Sequence, residues 1–136
     1  MEFDEEDFTI GSLFSGIGLL ELAVEIATGG NIVYQVELSP FRREILARHW
    51  PRAHRHDDIR TFLGPIVRPT LVCGGFPCVD VSNAGKREGI GGERSGLWSE
   101  YARILGQSKP DFAFIENVRA LEGRGLEVVL GDLDRL

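Results

Sequence analysis

The chain has 136 residues, 43% hydrophobic and 26% charged, the balance of one folded domain rather than of a disordered segment. Its 15 basic side chains against 21 acidic ones leave a net charge of −6, which argues against a nucleic-acid binder held by its own overall field. No apolar run approaches the ~18 residues of a membrane span, the N-terminus is acidic, and two cysteines are too few for a disulfide scaffold, so an intracellular protein is expected.

Residues 1–8 carry five acidic side chains (Glu2, Asp4, Glu5, Glu6, Asp7) and are expected to form a solvated, disordered arm ahead of one domain over 9–136. Thr9–Ser15 is an apolar-rich run predicted as a strand, ending at Gly16-Ile17-Gly18. From Leu19 to Thr28, apolar residues at 19, 20, 22, 23, 26 and 27 follow helical spacing. Gly29-Gly30 ends that helix, and Ile32–Val36 is a β-branched strand closing on Glu37. Ser39 is placed to cap a helix that starts at Pro40 and runs over Phe41–Trp50 until Pro51. Residues 42–60 hold six arginines (42, 43, 48, 52, 55, 60) against Glu44, Asp57 and Asp58, with a candidate short strand near 53–57. A buried strand is predicted at Pro69–Cys73, followed by a loop over 74–96 with seven glycines. A helix from Ser95 or Gly96 to Gln107, a strand at Asp111–Ile115 and a helix at Arg119–Leu136 interrupted by Gly123 and Gly125 complete the chain. Strands alternating with helices predict an α/β fold: a mostly parallel sheet with helices on both faces.

Three constellations carry chemistry. Phe14-Ser15-Gly16-Ile17-Gly18 joins a strand to a helix, where glycines let a ligand approach the backbone and the helix N-terminus offers free N–H groups. Glu37 lies 19 residues beyond Gly18 at the tip of the next strand, where such units use an acid on ribose hydroxyls. The third glycine of the dinucleotide fingerprint is replaced by Glu21, so the pocket need not hold a pyrophosphate, and an ordinary tight turn is the alternative. Gly74-Gly75-Phe76-Pro77-Cys78 follows a strand at the sheet edge where ligands bind, and a cysteine on such a loop can act as a nucleophile. Cys73, inside the strand, is expected to be an inert small hydrophobe. The two cysteines form no zinc site without a second pair, and His49, His54 and His56 are expected at the surface. Ile115-Glu116-Asn117-Val118 closes a strand on the same rim as Cys78, and a carboxyl group near a thiolate is suited to donate a proton. Glu116 could equally cap the helix that follows.

Taken together, Leu13-Phe14-Ser15-Gly16-Ile17-Gly18, Val36-Glu37-Leu38, Asp58-Ile59, Pro77-Cys78, the stretch from Gly85-Lys86-Arg87 to Trp98, and Glu116-Asn117-Val118 resemble the ordered motifs of DNA cytosine-5 methyltransferases, bacterial and phage members in particular. The resemblance implies a Rossmann-like, S-adenosylmethionine-dependent methyltransferase sheet. By the same likeness, Phe14, Ser15, Gly16, Ile17, Gly18 and Pro77 belong to the cofactor pocket, Glu37 binds ribose hydroxyls and Leu38 packs on the adenine. Asp58 then accepts from the adenine amino group, Ile59 stacks on the ring and Leu97 closes the site. Cys78 attacks carbon 6 of a flipped-out cytosine, with Glu116 on ring nitrogen 3 and Asn117 beside it. Ser82, Lys86, Arg87 and Arg94 touch double-stranded DNA.

Ser12, Leu19 and Val79 stand where the family often has Asp, Gly and Gln, none of them a reacting group. The family continues into further strands, a target-recognition domain and a C-terminal segment that packs back on the cofactor domain. The resemblance therefore implies a sheet truncated after about five strands, a partial catalytic domain that needs a second polypeptide for turnover. An inactive remnant or non-catalytic cofactor-binding module is the alternative, with a dinucleotide-dependent oxidoreductase behind it. A cytoplasmic setting in a bacterium or phage-infected cell, in restriction-modification, goes with the family.

Overall fold

A computed structural model describes residues 7–65, 67–77, 96–123 and 125–136. The chain order is β1 (Thr9–Leu13), α1 (Leu19–Thr28), β2 (Asn31–Val36), α2 (Pro40–His49), β3 (His54–His56), β4 (Leu71–Gly75), α3 (Leu97–Ser108), β5 (Phe112–Glu116) and α4 (Leu126–Leu133). Short 3-10 turns occupy Ile59–Thr61 and Arg119–Gly123. The five strands form one sheet in the order β3-β2-β1-β4-β5, every neighbouring pair parallel. The order reverses between β1 and β4, and the crevice at the carboxyl ends of strands beside such a switch is where open α/β sheets bind ligands.

Local chemistry sets the element ends. Gly29 takes φ 68° and its N–H bonds to the Glu25 carbonyl at 2.8 Å, closing α1. The Ser39 hydroxyl accepts from Arg42 N–H at 3.4 Å and Pro40 fills the first turn, starting α2 as the sequence predicts. The strand expected at 111–115 lies one residue on, at Phe112–Glu116, and two others shift by two residues. The one expected over 9–15 stops at Leu13, because Phe14 turns into the left-handed region at φ 54°. The one expected at 69–73 lies at 71–75: Pro69 has no N–H for a ladder, whereas Gly74 and Gly75 still pair with Leu13, Ile115 and Glu116. The candidate strand near 53–57 is real, as β3. The tail helix splits at Gly123 into a 3-10 turn and α4. Of the expected acidic arm, residues 1–6 lie outside the described residues; Phe8 already packs on the core and its carbonyl accepts from Asn31 N–H at 2.8 Å.

Both sheet faces are covered, unevenly. On one face Leu13, Tyr34, Val36 and Val72 pack against Phe76, Trp98, Tyr101 and Ile104. On the other, Ile10, Ile32, Ala53 and Cys73 pack beneath Leu20 and Val24 of α1 and Trp50 at the end of α2. Strand register extends this second face across the sheet: Gln35 pairs with Ser12, Ser12 with Cys73, and Cys73 with Phe114. Paired residues of a parallel sheet point the same way, so Phe112 and Phe114 belong to the α1 side. There they remain 60% and 51% exposed at the β5 edge.

Candidate functional site

The turn after β1 puts three residues in the left-handed region, Phe14 at φ 54°, Gly16 at φ 60° and Gly18 at φ 94°. For Phe14 that conformation is strained and persists only where neighbours over-determine it. They do: Ser15 N–H bonds to the Val36 carbonyl at 3.1 Å, Gly18 N–H to the Ser15 carbonyl at 3.0 Å, and Gly16 N–H to Glu37 Oε2 at 2.7 Å. Glu37 is 6% exposed and is itself positioned, its Oε1 accepting from Ser39 N–H at 2.9 Å and facing Arg42 Nη1 at 3.6 Å. The acid expected to meet a ribose thus also holds the glycine turn, and each carboxylate oxygen keeps lone-pair capacity for a further donor.

Phe14, Glu37, Leu38, Asp58, Ile59, Pro77 and Leu97 line a single cavity of about 300 Å³ at the carboxyl edge of the sheet. Its size lies at the lower end of small-molecule sites. Apolar walls from five different segments face a carboxylate across the opening, a shape suited to a flat ring system carrying a sugar. The Asp58 carboxylate is held below the usual range, chiefly by its hydrogen bonds with Arg60, whose Nε lies 3.0 and 3.2 Å from its two oxygens. Asp58 also accepts from Arg60 N–H at 3.0 Å, starting the 3-10 turn that presents the buried Ile59. Sequence reasoning missed Arg42, Asp57 and Arg60, which line the same cavity. The offset of Arg42, one helical turn past the Ser39 cap that follows Glu37, was the available signal.

Ile17 does not line this cavity. Together with Gly18 it borders a separate shallow groove with Leu22, Ile45 and Trp50. At Gly18 a side chain would overlap the Trp50 ring, so this glycine serves the packing of α1 against α2 as well as the turn. Ser15 and Gly16 form the turn beside the cavity without lining it.

Glu116 ends β5 in register with Gly75, and a Cβ at Gly75 would stand 2.5 Å from Glu116 Oε2. The carboxylate therefore lies over the backbone that leads to Pro77. Asn117 donates from Nδ2 to the Phe76 carbonyl at 3.2 Å and accepts from Val118 N–H at 2.8 Å, tying the β5 end to the segment that precedes Cys78. These bonds position the β5 end against that segment. Cys78, Ser82, Lys86, Arg87 and Arg94 lie outside the described residues. Cys73 is fully buried and burial, then Glu21, pushes its thiol up to about 12, in line with an inert residue. His49 and His54 are exposed, and His56 is half-buried against Phe62 with a 2.9 Å bond to Thr61 Oγ1. Among the described residues no cluster could hold a metal ion and no helix is long and apolar enough to cross a membrane.

The family model described as C-5 cytosine-specific DNA methylase matches residues 8–134. Among curated relatives, the chain is 36% identical over 111 residues to the Type II methyltransferase M2.BsuMI of Bacillus subtilis, covering 79% of this chain and 28% of that protein. It is 31% identical over 128 residues to the Type II methyltransferase M.HhaI of Haemophilus parahaemolyticus, covering 91% and 39%. Among solved structures it is similar to Spodoptera frugiperda DNMT2, with a TM-score of 0.73 at 20% identity over 94% of this chain and 41% of that one. The S. pombe Dnmt2 methyltransferase matches with a TM-score of 0.70 at 22% identity over the same shares, 94% and 41%. The chain thus spans well under half the length of these proteins.

Proposed function

Because the chain belongs to the C-5 cytosine-specific DNA methylase family, we propose that it is the cofactor-binding and nucleophile-bearing part of a DNA cytosine-5 methyltransferase. The observation that carries this is the convergence of Phe14, Glu37, Leu38, Asp58, Ile59, Pro77 and Leu97, from segments far apart in the chain, on one cavity beside the backbone of Gly75. S-adenosylmethionine fits that donor set: Glu37 would take the ribose hydroxyls, with Leu38 and Ile59 on the adenine faces. When bound it supplies the methyl group.

The remaining chemistry belongs to this chain and to DNA. Cytosine carbon 5 is a poor nucleophile until a thiolate adds to carbon 6, the role of Cys78. Addition places negative charge on the ring, and Glu116 holds a proton at ring nitrogen 3 to offset it. Once carbon 5 carries its new methyl group, loss of the proton on carbon 5 breaks the sulfur–carbon 6 bond and returns Cys78. Asn117 keeps the Phe76–Pro77 segment in register with Glu116 through the Phe76 carbonyl. The target base must leave the duplex to reach these groups, with Ser82, Lys86, Arg87 and Arg94 on the DNA backbone.

Turnover would draw on a further methyltransferase segment, such as the curated relatives carry beyond the matched share of their length. Two features support a seat for it on the α1 side of the sheet. Leu19, Leu22 and Ile26 form an i, i+3, i+7 stripe on α1 that is 70%, 40% and 76% exposed, and Phe112 and Phe114 lie open beside it. All-parallel sheets are stable with both faces covered. A second reading, a cofactor-binding module without turnover, draws on the small share of its relatives' length that the chain spans.

Calorimetric titration of the folded chain with S-adenosylmethionine tests the proposal. Binding at a stoichiometry of one that disappears in Glu37→Ala is the expected result. A folded chain that ignores the cofactor overturns it.

A further inference from the structure

Glu21 has no part in the chemistry above, yet it is 1% exposed in the first turn of α1. The helix points this carboxyl group at the sheet beside Leu20 and Val24, while Leu19, Leu22 and Ile26 face outward. Beneath Glu21 lies a polar row of the sheet, Gln35, Ser12 and Cys73, brought abreast by strand register and buried. Gln35 Nε2 donates to Glu21 Oε1 at 3.1 Å, and the Ser12 and Ser15 hydroxyls join at 2.8 Å. Both hydroxyls also act on the Glu21 carboxyl group. Gln35 Oε1 is buried without a partner, an acceptor that only a proton from a neighbour would satisfy. Ser15 lies within the strained turn, so the row reaches the back of the site through one hydroxyl.

We propose that Glu21 is a positioning residue: its carboxyl group, joined to Gln35 and seated against Ser12 and Ser15, fixes the conformation of residues 14–18 from behind. The physical need is plain. A phenylalanine at φ 54° relaxes unless it is held. Glu37 holds the front of the turn through Gly16 N–H, and the Ser15 hydroxyl is the handle at the back. Burial raises the pKa of Glu21, partly offset by its own N–H, Gln35, Ser12 and Ser15, and the other titratable group facing it is the Cys73 thiol. The Glu21 Oε1 accepts from Gln35 Nε2 whether or not the carboxyl group carries its proton. For cofactor binding the consequence rests on the function proposed above: a loosened turn presents Phe14 and Gly16 in many conformations, and affinity falls with the ordering entropy.

The experiment compares the wild type with Glu21→Leu and Glu21→Gln. Hydrogen exchange of the Gly16 and Gly18 amides, thermal melting and calorimetric affinity for S-adenosylmethionine are measured for each. Leucine fills the same space without hydrogen bonds and leaves Gln35 Nε2 buried without its acceptor, which costs the fold some stability. Glu21→Leu is therefore expected to melt lower, while the two turn amides exchange roughly tenfold faster, beyond any change in the sheet, and affinity falls by a similar factor. Glu21→Gln, a neutral isostere of the acid, restores both. Turn amides that exchange in Glu21→Leu as in the wild type overturn the proposal. So does a uniform rise in exchange across the sheet, which marks a merely structural role. If Glu21→Leu does not fold, Gln35→Leu breaks the same pair from its other end and is held to the same outcomes. A wild type that binds no cofactor defeats the function proposed above, and the exchange rates still decide the role of Glu21.

Discussion

At the scale of single residues, two substitutions separate packing from electrostatics. Gly18 combines φ 94° with a neighbouring Trp50 ring that a side chain would overlap. Gly18→Ala is expected to destabilise the fold by about 2–3 kcal/mol, from left-handed strain plus overpacking, read from urea unfolding. No loss means that Trp50 swings away freely. Glu21 gives a pH dependence of opposite origin to a salt bridge. Its folded pKa is raised above the ordinary 4.5, so its contribution to stability is complete below that value. The contribution is lost as the pH rises through the folded value, because the unfolded chain ionises first. The stability profile of Glu21→Gln should lose that decline, and an unchanged profile would show that Glu21 is not the group responsible. Glu37 was legible from sequence because an acid some twenty residues past a glycine turn is a spacing rule. Glu21 was noticed only as a missing glycine, since a carboxylate on the buried side of a helix breaks the periodicity from which burial is inferred.

At the scale of elements, the sheet is complete in hydrogen bonding between its neighbours and incomplete at one side. Its parallel pairing and helices on both faces follow from alternating runs that the sequence displays, the strand order does not, and errors fall at strand ends. There Pro69 and Phe14 moved the boundaries by two residues through backbone chemistry that apolar patterning does not encode. The outward facing of one apolar stripe of α1 was not legible, because Leu19, Leu22 and Ile26 have the same spacing whether they face a core or solvent. This stripe and the β5 edge carry a prediction. Unpaired strand edges and open apolar faces favour association, so the chain alone is expected to dimerise or aggregate at concentrations of tens of micromolar or so. The double variant Phe112→Ser, Phe114→Ser should shift sedimentation toward monomer with little change in unfolding, as both rings are more than half exposed. Association that survives the double variant would move the sticky surface to α1, where Leu22→Lys tests it.

At the scale of the whole molecule, charge and chemistry pull apart. The proposed function needs a DNA duplex, yet the chain carries a net charge of −6. The resemblance assigns three cations, Lys86, Arg87 and Arg94, to phosphates. Three of the four arginines of α2 and β3 are already engaged: Arg42 faces Glu37, Arg43 donates to the Glu37 and Leu38 carbonyls at 2.8 and 2.6 Å, and Arg55 donates to the Trp50 carbonyl at 2.7 Å. Each neutralised phosphate contributes about −0.9 to the slope of log affinity against log salt, so three contacts set a limit of roughly −3. Fluorescence anisotropy of the chain with a cytosine-containing duplex across a salt series is expected to show weak binding with a slope no steeper than that limit. A complementing segment should add contacts and steepen the slope, in the same titration in which methyl transfer appears. A slope well beyond −3 for the chain alone would bring the arginine-rich stretch over 42–60 onto the duplex, breaking its carbonyl bonds and loosening the Glu37 end of the cofactor cavity, so that DNA and cofactor would compete instead of cooperating.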